Sequence, residues 1–201
     1  MVCGDTGKVC VEGPTQSKIR TRCIVIDLEV AKETGQIHRF AAIQGDELEK
    51  PFIHKGGHLG RALRELDDFA SSAEFLLGHN VIAFDIPHLQ AAAPGLRILD
   101  LSVIDTLRLS PLAFPRYPYH RLVKHYKDGG LLRFNANAPE LDARICLELF
   151  EDEEKAFHQL KEKNPGLLTA FHWLTSSGPD EVGFDRFFSM VRNASTPSDD
   201  E

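Results

Sequence analysis

Hydrophobic residues recur along this chain in two rhythms, and the switches between them mark its elements. Residues 22–30 form a near-continuous apolar run rich in β-branched side chains, which predicts a buried central strand. A turn at 33–36 leads into residues 37–44, a second strand that the short link makes antiparallel to the first. A third, shorter strand is expected around 51–54. Between 59 and 73 the apolar positions Leu59, Ala62, Leu63, Leu66, Phe69 and Ala70 follow the period of an amphipathic helix. Residues 75–80 then read as a short buried strand. A helix is expected to start near Phe84 or Asp85 and to end before Pro94, and residues 102–106 read as another strand. A short basic helix is expected over 119–126, broken by Gly129 and Gly130.

From Pro139 to about Lys163 the pattern predicts one long helix, with Pro139 in its first turn and Asn137 or Ala138 near its cap. Asn164, Pro165 and Gly166 should stop it, and two further short helices are expected over 167–174 and 184–191. Strands alternating with helices in this order predict an α/β fold, a mixed β-sheet flanked by helices. Residues 1–20 lack apolar period and are expected to be a flexible extension. Residues 21–163 should then form the main domain, 164–192 a C-terminal helical appendage, and 193–201, polar and acidic, a disordered tail.

The bulk numbers narrow the class. With 201 residues, 42% of them hydrophobic, the chain can bury a sizeable core. It holds no apolar run of about 18 residues, so no membrane partner is expected. No charged leader followed by an apolar stretch opens it. Cys3, Cys10, Cys23 and Cys146 form no Cys-X-X-Cys pair, so reduced thiols and a cytoplasmic location are expected. The net charge of −7 argues against a protein that coats nucleic acid non-specifically. Its distribution is uneven: between Arg108 and Arg133 six basic residues meet one acid, Asp128. That window is either a solvated basic face or a phosphate-contacting surface. Phe114, Tyr117, Tyr119 and Tyr126 interleave with it, which suits single-stranded nucleic acid as well as plain packing.

Four carboxylates carry the candidate chemistry. Asp27 and Glu29 lie two apart on the first strand and therefore share a face, with Leu28 opposite. Asp85 follows Gly-His-Asn-Val-Ile-Ala-Phe, and Asp142 opens Asp-Ala-Arg near the start of the long helix. All four sit beside apolar runs, where an ionised group is costly unless paired or bound to metal. Carboxylates brought that close raise one another's pKa, and divalent cations relieve the repulsion.

The order Asp-X-Glu, then His-Asn with Phe-Asp, then a late Asp on a helix resembles the three-motif signature of the DEDD exonucleases over residues 22–152. The chain looks like a DnaQ-like 3′→5′ exonuclease domain with a ribonuclease H-like fold. Residues 78–89, 104–115 and 119–127 are similar to a bacterial subgroup that lies N-terminal to RecQ-type helicase modules. The resemblance implies that Asp27, Glu29, Asp85 and Asp142 hold two Mg²⁺ or Mn²⁺ ions at the scissile phosphate. It further implies a partner in the 3′ end of single-stranded DNA or RNA, DNA favoured, released as nucleoside 5′-monophosphates. Val30, His79, Asn80, Arg121 and Lys124 would contact that substrate, and a helicase module in cis or in trans is a possible partner.

One position departs from the common pattern. Five residues before Asp142, where the usual family member has a histidine base, this chain has Asn137, the usual residue of the helicase-linked subgroup. Ala138 occupies the tyrosine position of the other family version. Asparagine can orient a water but cannot accept a proton at neutral pH. His88, one helical turn after Asp85, and His125 are candidate replacements. The alternative reading is a catalytically weakened module that binds nucleic-acid ends or a helicase partner.

Overall fold

The chain is described by a computed structural model covering residues 19–48, 50–122, 138–176, 178 and 182–198. Five strands form one mixed sheet: β1 (Cys23–Val30), β2 (Ile37–Gln44), β3 (Phe52–His54), β4 (Phe75–Gly78) and β5 (Ser102–Asp105). Among the described residues six α-helices accompany them: α1 (Leu59–Phe69), α2 (Asp85–Ala92), α3 (Thr106–Ala113), α4 (Pro139–Lys163), α5 (Pro165–Leu174) and α6 (Val182–Arg192). The strand order is β3-β2-β1-β4-β5. β1 pairs antiparallel with β2 and parallel with β4, so the central strand joins an antiparallel half to a parallel half. The fold is α/β with helices on both faces, as the alternation of elements predicts.

The pleat of β1 sorts the core into two. Ile24, Ile26 and Leu28 face a cluster that includes Phe40, Leu76, Leu63 and Leu66 from α1, and Leu89 from α2. Cys23 and Val25 face the other side, with Phe75, Leu77 and Ile104, beneath Cys146, Leu147 and Phe150 of α4. Burying large side chains on both faces contributes roughly 1.5–3 kcal/mol each, which explains the near-unbroken apolar runs of β1 and β4. Beyond Val25 the same α4-facing register carries Asp27 and Glu29.

Several boundaries move for local reasons. α1 ends at Phe69 rather than 73; the Gln44 side chain donates to the Phe69 carbonyl at 2.7 Å, and Ser71 and Ser72 are exposed. The strand over 102–106 stops at Asp105, because Thr106 already opens α3. α4 stops at Lys163 as expected, but α5 opens at Pro165 rather than 167, with the Asn164 side chain accepting from the Leu167 N–H at 3.1 Å as its cap. Residues 119–122 are not helical, and the rest of the expected basic helix lies outside the described residues.

The chain beyond Asn164 continues the main core. Leu168 of α5 and Phe184, Phe187, Phe188 and Val191 of α6 share one cluster with Phe150, Phe157 and Phe75. Gly183 lies so close to β5 that an added Cβ would overlap the Val103 backbone. Residues 194–198, expected in a loose tail, are held instead. Thr196 Oγ1 donates to Asp185 at 2.6 Å, Arg192 donates to the Ser195 carbonyl at 3.0 Å, and Pro197 is buried. Asp185 also contacts Nε2 of the fully buried His172, 2.9 Å away.

Among the described residues, α4 buries one carboxylate without a hydrogen-bond partner. Glu153 is fully buried and both of its carboxylate oxygens lack a hydrogen-bond partner. Burial first, then the nearby Asp105 and Asp152, push its pKa well above the ordinary carboxyl value. The folded protein keeps a proton there that the unfolded chain loses, so this group's effect on stability worsens as pH rises above about 4.3. Glu153→Gln is therefore expected to unfold at a higher temperature than the wild type at pH 8. The gap should narrow toward pH 4–5, as read by thermal melts across pH. Gly183→Ala is expected to cost about 1–3 kcal/mol in denaturant unfolding, by forcing α6 off β5. An unchanged midpoint would mean that α6 does not dock there.

Candidate active site

The four sequence-singled carboxylates arrive at the same end of the sheet from three elements. β1 supplies Asp27 and Glu29, half-buried on the α4-facing side. Asp85 is the first residue of α2 and is 3% exposed. Its Oδ1 accepts the Leu28 N–H at 3.0 Å, which clips the start of α2 to β1 between Asp27 and Glu29. Asp142 is half-buried in the first turn of α4.

Their mutual electrostatics mark the cluster. Burial pushes Asp27 up to about 8, with repulsion from Asp142 and then Glu29 adding to it. Asp85 is also raised well above the usual range, by burial first and by Asp27 second. Asp27 is thus the hub: each of the other three carboxylates lies within electrostatic reach of it. Glu29 Oε1 is buried without a hydrogen-bond partner, which leaves an acceptor free for a cation. The donor set is all hard carboxylate oxygen, the type that Mg²⁺ and Mn²⁺ prefer. Among the described residues no three His, Cys, Asp or Glu side chains form a group able to hold a metal ion.

The residues expected to touch substrate are placed differently from one another. His79 follows β4 directly, and its Nδ1 lies 2.9 Å from Thr106 Oγ1, which donates to the Gly78 carbonyl at 3.3 Å. Burial pushes the His79 pKa down, and its Nε2 is buried without a partner. Asn80 has φ +67°, a left-handed conformation that asparagine tolerates better than most residues. Val30 packs, half-buried, against the α1-side core. Arg121 is exposed and lines a cavity of about 710 Å³ together with Tyr117, Tyr119 and residues of α4. Lys124, His125 and Asn137 lie outside the described residues. His88 is turned into its own helix: Nδ1 lies 2.7 Å from the Phe84 carbonyl and the ring lies tilted against Phe84, centroids 4.7 Å apart.

Asp105 is the residue that reading for carboxylate motifs misses. It is 1% exposed at the end of β5. Its side chain accepts three backbone N–H groups: Asn80 at 2.8 Å, Leu107 at 2.9 Å and Ile82 at 3.2 Å. It therefore caps α3 and holds the loop between β4 and α2 that delivers Asp85. An Asp immediately before a helical pattern is a start signal, and Asp105 carried that signal before Leu107.

The chain matches no protein-family model and no curated protein sequence. Among the described residues no helix is long and apolar enough to cross a membrane, and Cys23 and Cys146 are buried and free.

Asp105→Ala strips a cap and leaves three N–H groups near the site without their acceptor. It is expected to cost about 3 kcal/mol in chemical denaturation. Amide exchange should quicken across residues 79–85. A loss confined to α3 would show that Asp105 caps the helix without organising the loop.

Proposed function

We propose that the chain is a metal-dependent 3′→5′ exonuclease domain of the DnaQ-like DEDD type, built on a ribonuclease H-like fold. The observation that carries the reading is the gathering of Glu29, Asp85 and Asp142 within electrostatic reach of Asp27 at one end of the sheet. A five-stranded mixed sheet with helices on both faces is compatible with that fold.

In this reading the four carboxylates hold two Mg²⁺ or Mn²⁺ ions, which supply Lewis acidity to the attacking water and to the departing 3′ oxygen. The chain's own part is positioning. The Asp85–Leu28 clip sets α2 against β1, so the carboxylates of two elements keep one spacing. Asp105 fixes the strained loop at Asn80, which presents His79 and Asn80 beside the strand ends. Arg121 and Lys124 neutralise phosphates of the incoming strand, and the exposed Tyr117 and Tyr119 offer faces on which bases stack. Asn137 orients water without accepting its proton. The substrate is a single-stranded 3′ end, DNA in preference to RNA, and a helicase module in cis or in trans would supply it.

That no three His, Cys, Asp or Glu among the described residues form a metal-holding group favours a second reading, a module that binds nucleic-acid ends with little turnover. A 3′-labelled oligonucleotide incubated with Mn²⁺, Mg²⁺ or EDTA separates the two. Hydrolysis that requires the metal and yields 5′-monophosphates supports the exonuclease; retained binding without products supports the module. Asp85→Asn keeps the acceptor for the Leu28 N–H and removes the charge. It is expected to cut hydrolysis by more than about 100-fold, beyond the usual cost of losing a ligand's outer partner. Full activity in this variant would remove Asp85 from the site.

A further inference from the structure

We propose that Arg39 and Glu140 form a positioning pair that sets the distance between Glu29 on β1 and Asp142 on α4; this inference rests on the carboxylates being a metal site. In the antiparallel ladder Arg39 lies directly across from Glu29, and Ala41 across from Asp27. Cross-strand partners share a face, so the guanidinium rises beside Glu29 on the side that α4 covers. The ladder slips its register between Glu29 and Val30, immediately past this pair.

From there Arg39 reaches the helix. Its Nη2 lies 3.0 Å and 2.9 Å from the two oxygens of Glu140, in the first turn of α4. Lys55, from just after β3, lies 3.8 Å from the same carboxylate and adds a weaker attraction. Two residues along a helix turn the side chain by about 200°. Glu140 is drawn toward Arg39 and Lys55, so Asp142 is turned away from them, and it lies within electrostatic reach of Asp27. One guanidinium thus anchors the start of α4 while lying beside Glu29, and it holds two of the four carboxylates in one frame.

The pair is part-exposed, with side-chain exposures of 25% and 27%. Such ion pairs add little to global stability, so their loss should not unfold the protein. Their geometric effect is the one expected of a ligand's outer partner, whose removal weakens metal binding about 10–100-fold.

The test compares wild type, Arg39→Gln, Glu140→Gln and the double variant. Mn²⁺ binding is measured by calorimetry, and amide exchange over residues 141–144 is measured in metal-free protein. Each single variant is expected to bind Mn²⁺ roughly 10-fold more weakly and to exchange faster at the start of α4. Its melting temperature should stay near that of the wild type. The double variant should lose no more than the worse single, because the two residues act through each other. Arg39→Lys, which keeps the charge on a shorter side chain, should fall between wild type and Arg39→Gln. Unchanged Mn²⁺ affinity in both singles, or losses that multiply in the double, would overturn the pair. If wild type binds no Mn²⁺, the metal-site reading fails first, and the exchange data still decide the pairing. Faster exchange in both singles supports the anchor, and unchanged exchange overturns it.

Discussion

The pleat of β1 is the constraint on which the rest of this structure depends. A strand buried on both sides must present apolar side chains to each, and β1 does so through Cys23, Ile24, Val25 and Ile26. The alternation does not stop where the apolar run stops. It carries Asp27 and Glu29 onto the face that α4 covers and leaves Leu28 on the other, in the core with α1. A slip of one residue would put Leu28 among the carboxylates and drive two charges into the α1-side core. The buried side chains on both faces make that register costly to change.

Once two acids are fixed at the edge of a core, other elements make the environment more acidic rather than less. Asp85 and Asp142 arrive from α2 and α4, and burial holds Asp27 at about 8 and Asp85 well above its usual range. A fold selected for stability alone would place a lysine or a leucine there, because unpaired buried carboxylates oppose folding. The concentration of like charge is reasonable only if something positive enters, which is why the site reads as functional. Glu153 is the contrast. It is fully buried, and its pKa is likewise raised by burial first, yet it lies inside α4 among core residues rather than at the end of the sheet where the four acids meet.

Holding these carboxylates in place falls to residues outside the cluster. Asp105 gathers three backbone N–H groups from two segments, so the end of β5, the start of α3 and the loop before α2 move as one unit. Arg39 and Glu140 do the corresponding work for α4. These supports lie on strand ends and first helical turns, where unsatisfied N–H groups and partly exposed charges are available. The long Phe-rich contact among α4, α6 and β4 secures the body of α4 from behind, so its first turn is the part left to be aimed.

The sequence by itself determined the elements whose cause is local. The bounds of β2 and α4 follow from apolar periodicity, from Pro139 in a first turn and from Asn164 at the end. The same-face relation of Asp27 and Glu29 is a property of any strand. Asp85 and Asp142 could be singled out as acids opening helices. Tertiary structure alone decided what those acids do to one another, because Asp27 meets Asp142 only when α4 is laid across the sheet. It also decided that Asn164 bridges two helices instead of ending a domain, since the burial of Phe184, Phe187 and Phe188 against Phe157 has no signature in local pattern. The cross-links Arg39–Glu140 and Asp105–Asn80 were illegible for the same reason. Each joins residues far apart in the chain, and a sequence pattern reports which face a side chain takes but not which element that face will meet.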